Sequence, residues 1–137
     1  MKVVLISCVK TKKAGKHKAK DLYDGTWFRY AFRYAQSLRP NKVFILSAKY
    51  HLVDQNKEIK KYEKMLKSMS ARDTRAWADK VLTDLSQQTD LEKDIFIILA
   101  GEKYRKYLVC HLANCDVPME GLSRGEQLHW LKERCCR

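Results

Sequence analysis

The run Lys2-Val3-Val4-Leu5-Ile6, followed at once by Ser7-Cys8, decides the fold of this chain. It reads as a core strand that ends in small residues. The same ending recurs twice: Lys42–Leu46 stops at Ser47-Ala48, and Asp94–Leu99 stops at Ala100-Gly101. A weaker run, Asp116–Met119, leads into Glu120-Gly121. Asp94–Leu99 is almost unbroken in its apolarity, as a central strand with helices on each side requires. In an open α/β sheet, ligands occupy the crevice beyond the carboxyl ends of the strands. Small residues there let a ligand approach the backbone. The candidate site therefore draws on Ser7, Cys8, Ser47, Ala48, Lys49, Ala100, Gly101, Glu102, Glu120 and Gly121.

Helical patterns separate these strands. Trp27, Phe28, Ala31, Phe32, Tyr34, Ala35 and Leu38 form a broad apolar stripe at helical spacing, with Asp24 or Thr26 as the expected N-cap and Pro40 as the stop. Glu58–Met69 reads as a short basic amphipathic helix carrying Ile59, Tyr62, Met65 and Leu66. Ser70-Ala71-Arg72-Asp73 opens the next helix with a capping box, and Trp77, Val81, Leu82 and Leu85 lie on its buried side. Glu102–Leu112 is expected to be helical. Ser123-Arg124-Gly125-Glu126 is a second capping box, opening a terminal helix. The order β-α-β-α-α-β-α-β-α predicts one α/β domain over residues 1–137. Its expected architecture is a three-layer α/β/α sandwich around a mainly parallel four-stranded sheet.

Composition narrows the functional classes. The chain has 137 residues, of which 45% are hydrophobic and 32% charged, and no apolar stretch approaches the roughly 20 residues of a membrane helix. Met1–Ile6 does not resemble a signal peptide, so a cytoplasmic protein with no membrane partner is expected. The five cysteines (Cys8, Cys110, Cys115, Cys135, Cys136) lack regular spacing and read as reduced thiols, with the terminal pair incidental. Cys110, His111 and Cys115 form an incomplete ligand set, so no metal or other cofactor is expected. The formal net charge of +12 favours an anionic partner, either nucleic acid or a phosphorylated nucleoside. Much of that charge sits in Lys10–Lys20, with six lysines in eleven residues, which reads as a mobile loop.

Several groups near the strand ends bear chemistry. Ser7-Cys8-Val9-Lys10-Thr11-Lys12 offers hydroxyls, a thiol and amines for a phosphate or ribose, without the spacing of a P-loop. A surface loop around a structural Cys8 is the plainer alternative; a nucleophilic role for Cys8 needs a stabilised thiolate. His51 can titrate near neutrality and is the leading proton-transfer candidate, although a lone loop histidine also serves structure. Tyr50 offers a face for a base. Gly101 lets a ligand come close, while Glu102 sits where a carboxylate suits the first turn of a helix. The Glu120–Gly125 amides together with Arg124 make an anion site, though capping alone explains Ser123 and Glu126.

These segments together resemble a bacterial and phage family of uncharacterised domains related to the YaaA-like proteins. The resemblance rests on Ile6-Ser7-Cys8-Val9-Lys10-Thr11-Lys12, on Asp21-Leu22-Tyr23 with Phe28, and on Leu46-Ser47-Ala48-Lys49-Tyr50-His51-Leu52-Val53. It continues through Leu99-Ala100-Gly101-Glu102-Lys103-Tyr104 and Pro118-Met119-Glu120-Gly121-Leu122-Ser123-Arg124-Gly125. Many members carry His-Gly where this chain has Tyr50-His51. The family is in turn distantly similar to the uracil-DNA-glycosylase-like fold and to the tRNA-modifying domain of archaeosine synthase. That likeness implies recognition of a nucleobase or nucleoside at the strand ends.

The expected function is recognition of a nucleobase, nucleoside or nucleotide, with cleavage of a glycosidic bond or modification of a base as its chemistry. The expected catalytic residues are His51, Glu102 and Cys8. The expected ligand-binding set is Ser7, Cys8, Lys10, Thr11, Tyr23, Ser47, Ala48, Lys49, Tyr50, Gly101, Glu102, Tyr104, Ser123 and Arg124. The alternative from a different class is a non-catalytic protein that sequesters a nucleotide signal or coats DNA through its basic surface. An accessory subunit docking an acidic partner is a third option.

Overall fold

A computed structural model describes residues 1–135. Cys136, half of the terminal cysteine pair, lies outside the described residues. The three apolar runs form β1 (Lys2–Ser7), β3 (Lys42–Ser47) and β6 (Ile95–Leu99). β1 is central, with Leu5 opposite Phe44 of β3 on one side and Ile98 of β6 on the other, all parallel. Val3, Val4, Leu5 and Ile6 are completely buried, so both faces of this strand are covered. Each such aliphatic side chain contributes roughly 1.5–3 kcal/mol of hydrophobic stabilisation.

The mainly parallel sheet has five strands rather than the expected four, in the order β4-β3-β1-β6-β7. The added strand is β4 (His51–Asp54), antiparallel to β3. Leu52 and Val53 are buried opposite Leu46 and Ile45, which draws the expected loop into the sheet. The last strand, β7, covers Asn114–Asp116 rather than Asp116–Met119. Pro118 has no N–H for a ladder, so pairing ends ahead of it, while the Asn114 amide clamps the carbonyls of Glu92 and Lys93 at 3.1 and 3.4 Å.

The lysine-rich segment folds, contrary to the expectation of a mobile loop. Lys16–Lys18 forms β2, antiparallel to β5 (Glu58–Lys60), and Ala19–Leu22 forms the short α1. Backbone bonds from Lys13 to Leu22, Ala19 to Lys57 and Asp24 to Thr11, at 2.8, 2.8 and 2.9 Å, fasten it down. This pairing also removes the expected helix over Glu58–Met69. Ile59, Tyr62 and Leu66 are buried as their spacing suggested, but from a strand, an irregular stretch and a 3-10 turn at Leu66–Ser68.

α2 spans Thr26–Ser37, with Gly25 (φ +111°) as its N-cap instead of Asp24 or Thr26; the Asp24 carboxylate accepts from the Gly25 N–H at 2.9 Å. α3 (Ala71–Gln88) starts at Ser70, whose hydroxyl accepts from the Asp73 N–H. α5 (Arg124–Cys135) starts at a reciprocal box: Ser123 N–H to the Glu126 carboxylate at 3.0 Å, and Glu126 N–H to the Ser123 hydroxyl at 3.3 Å. α4 is only Glu102–Arg105. Beyond it, i to i−3 bonds tighten the chain so that Leu108 and Leu112 are both buried, and the helix expected to reach Leu112 stops early. α2 and α5 pack together through Tyr34 and Trp130, whose rings meet edge to face at 5.0 Å. Among the described residues, no helix is long and apolar enough to cross a membrane.

Candidate functional site

The chain leaves β1 for β3 on one side and later crosses to β6 on the other, so the order reverses between β1 and β6. The crevice beyond the carboxyl ends at such a reversal is where open α/β sheets bind ligands. Two distinct environments occupy it here.

Above β1 and β3 lies a buried polar cluster. Ser7, Cys8, Ser47 and Ala48 are all buried. The Tyr50 N–H donates to the Ser47 hydroxyl at 2.9 Å, Ser47 donates to the Tyr62 hydroxyl at 2.8 Å, and Tyr62 shares a 2.6 Å bond with the Tyr23 hydroxyl. The Ser47 carbonyl accepts from the Trp77 indole at 2.8 Å. The Cys8 thiol lies 3.1 Å from the Tyr104 hydroxyl. Burial, reinforced by Cys8, pushes the Tyr23, Tyr62 and Tyr104 phenols well above their ordinary range. They therefore act as neutral hydrogen-bonding groups. Cys8, expected as a nucleophile, is packed under this cluster.

Lys12 completes the cluster; it belongs to the expected Ser7–Lys12 loop, although the expected ligand-binding set takes Lys10 and Thr11 from that loop and not Lys12. Its side chain is drawn in by the bridge between Lys12 and Tyr23, leaving the residue 7% exposed. The ammonium lies 4.3 Å from the Tyr62 ring centre and donates to the Lys10 carbonyl at 3.1 Å. Burial lowers its pKa, against the opposing pull of Cys8 and Glu63. Lys10 and Thr11 themselves are exposed, and Thr11 contributes its carbonyl to Asp24. Tyr62 was also missed. The helical reading of Glu58–Met69 gave no reason to bring its hydroxyl to the strand ends.

Beyond β6 and β7 the crevice is open. A cleft of about 420 Å³ is bounded by Ala100, Gly101 and Glu102 on one side, by Met119, Gly121, Leu122 and Ser123 on another, and by Arg105, Glu126 and Gln127. A side-chain carbon at Gly101 would meet no atom within 4 Å, so this position stands against open space. Arg105 is under-paired: its Nη1 lies 3.8 Å from an exposed Glu120 carboxylate, and its buried Nε has no acceptor among the described residues. Glu126 is engaged in its capping box, which leaves Glu102 as the carboxylate of the cleft without a side-chain partner among the described residues. Arg124 lies over the Trp27 ring at 4.2 Å, and Trp27 donates to Gln127 at 3.0 Å.

The expected catalytic residues are not assembled in one pocket. His51 lines a separate hollow with Lys64, Met69, Asp73, Ala76 and Trp77, where burial lowers its pKa. It takes a left-handed conformation, φ +66°, at the start of β4. Lys49 is exposed, with its ammonium 5.3 Å from the Tyr50 ring, and Tyr50 meets Tyr62 edge to face.

A family model described as "Family of unknown function (DUF6884)" matches residues 3–133. The chain belongs to this family. No curated protein and no solved structure matches it. The DUF6884 match brings no activity with it and makes no link to the YaaA-like or uracil-DNA-glycosylase-like proteins.

Proposed function

We propose that this DUF6884 protein recognises a nucleobase, nucleoside or nucleotide in the cleft between β6, β7 and α5. The observation that carries the reading is an open cleft beside a topological reversal, holding an under-paired guanidinium at Arg105 and the Glu102 carboxylate. Arg105 suits phosphate, Gly101 admits close approach, and Glu102 suits a ribose hydroxyl or a developing positive charge on the sugar. The YaaA-like resemblance supports the same ligand class. The left-handed backbone at position 51 accounts for glycine there in that pattern, so Tyr50 stands in the place of its histidine. In this reading the sheet is the middle of a three-layer α/β/α sandwich, with α2 and α5 outside one face and α3 outside the other.

As an enzyme, the protein would use Glu102 to orient and deprotonate the water that adds to the anomeric carbon, the base leaving with the electrons of the broken C–N bond and taking a proton from solvent, with the buried cluster holding the strand ends rigid. The second reading, a non-catalytic protein that sequesters a nucleotide, is favoured by the separation of His51 and Cys8 from the Glu102 cleft. The test is native and denaturing mass spectrometry after incubation with a nucleotide extract. An intact nucleotide released on denaturation identifies a sequestering protein. A free base formed by wild type but not by Glu102→Gln identifies an enzyme. Gly101→Ala, which the protein itself accommodates, should abolish either signal. Retention of ligand by this variant would refute the placement.

A further inference from the structure

A second cleft, of about 410 Å³, lies where the folded lysine segment meets α2. Its rim carries Lys13, Lys20, Arg29 and Arg33. None of these four cations forms an ion pair among the described residues, although Asp21 and Asp24 line the same cleft. Arg29 and Arg33 are one turn apart on α2, about 6 Å along the axis. Between them in the chain lies Phe32, half-buried, stacked on Phe28 with ring planes 20° apart and lining the cleft.

The β2–β5 ribbon extends this positive field. Its inner pair is His17 and Ile59, and Ile59 is buried. Lys16, Lys18 and Lys60 are exposed, and Lys16 stands directly across from Lys60. Like charges directly opposite on paired strands are destabilising. The ion pair on the ribbon, Lys16 to Glu58 at 3.6 Å, is solvent-exposed and offsets little of this repulsion. A solvated lysine run would avoid the conflict by staying unfolded. Here the backbone bonds to Leu22, Lys57 and Gln55 hold the charges together, with Glu58, opposite Lys18, as the ribbon's own carboxylate. An external polyanion would offset the remaining repulsion.

We propose that this cleft and ribbon bind single-stranded nucleic acid, with phosphates along Lys13, Lys20, Arg29 and Arg33 and a base against Phe32. An aromatic wall flanked by cations is how sequence-tolerant single-strand sites work. A duplex keeps its base faces stacked and unavailable to such a wall. The inference concerns a different surface from the cleft beyond β6 and shares with that reading only the ligand class.

The test is fluorescence anisotropy with labelled single-stranded DNA of mixed sequence, the corresponding duplex, and heparin as a polyanion without bases. The single strand should bind tightest. Arg29→Glu with Arg33→Glu, both on exposed helix positions, should weaken it by at least about tenfold. Arg29→Gln with Arg33→Gln should lower the salt slope by about 1.4, two phosphate contacts' worth. Phe32→Leu should weaken the single strand by about fivefold or more and leave heparin binding unchanged. Gly101→Ala should leave single-strand affinity intact, so failure of the nucleotide reading and failure of this one are separable. Equal binding of duplex and single strand, insensitivity to Phe32→Leu, or insensitivity to the charge changes in variants that melt normally would each overturn the proposal.

Discussion

Replacing Ser47 by alanine tests whether the polar cluster at the strand ends is a stabilising chain or a coincidence of neighbours. The serine is fully buried. Its hydroxyl sits mid-chain, accepting from Tyr50 N–H at 2.9 Å and donating to Tyr62 at 2.8 Å. A net hydrogen bond contributes about 1 kcal/mol, and an orphaned buried partner costs about 1–3 kcal/mol. Tyr62 keeps its 2.6 Å bond to Tyr23, so the main orphan is the Tyr50 N–H. Ser47→Ala should therefore cost about 2–3 kcal/mol. Tyr62→Phe removes the same Ser47 bond from the other side and strands the Tyr23 hydroxyl, at a similar cost. Because both singles break one shared bond, the double variant should fall short of additivity by about 1 kcal/mol. Urea unfolding with an unchanged slope against denaturant would measure this. A Ser47→Ala cost within about 0.5 kcal/mol of zero, or full additivity, would refute the chain.

Other consequences follow from the same groups. Tyr23 and Tyr62 stay neutral when folded while the unfolded chain ionises near pH 10, so each should remove about 1.4 kcal/mol of stability per pH unit above about pH 10. Lys12 acts oppositely: with its folded pKa lowered, stability gains as pH rises toward its usual 10.5. The alkaline decline should thus steepen only past that point, and Tyr62→Phe should make it shallower in urea midpoints against pH. At His51, the left-handed backbone makes His51→Gly neutral or stabilising and His51→Val destabilising by about 1–2 kcal/mol in thermal unfolding. The lowered pKa of His51 also means that acidification below its usual 6.5 costs stability down to the folded value, and His51→Gly should remove that loss. Asp94 accepts from the Asp90 N–H and the Met1 ammonium, which hold its carboxyl below the usual 3.8. Its contribution is present above that value and is lost as pH falls through the lowered pKa, so Asp94→Asn should flatten the acid limb of the stability profile.

The parallel core was legible because β1, β3 and β6 need no partner information: apolar runs ending in Ser-Cys, Ser-Ala and Ala-Gly declare both buried faces and a carboxyl-end crevice. β4 was hidden because its pairing depends on a tight turn, with Ser47 accepting from Tyr50 and His51 in a left-handed conformation that histidine does not advertise. Glu58–Met69 misled in conformation and not in burial. Ile59, Tyr62 and Leu66 fit a helix face, but pairing with β2 pulled Glu58–Lys60 into a ribbon, and tertiary pairing outweighs local period. At the candidate site, Gly101 and Glu102 were named from their strand-end position and Ser123 from the capping box that opens α5, and these three line the cleft. Arg105 was not, since its under-paired state is a property of the packed structure.

Lys12 and Lys13 show why a lysine-dense stretch cannot be read by charge count. They are adjacent, and the local pairing with Tyr23 sends one inward to the Tyr62 ring and leaves the other on the rim of the basic cleft. Tyr23 joins the two environments: the residue lines that cleft while its hydroxyl is bonded to Tyr62 over the strand ends. The inward lysine costs desolvation, which the fold offsets with a carbonyl and two aromatic faces and no carboxylate contact short enough to count as an ion pair. The outward cations cost mutual repulsion, which Glu58, Asp21 and Asp24 offset only in part. Solubility alone requires neither arrangement, because the same lysines spread over the surface would serve it with less strain. The segment is a folded ribbon and helix and not a solvated loop, and the proposed single-strand site would use it to position charge for phosphates.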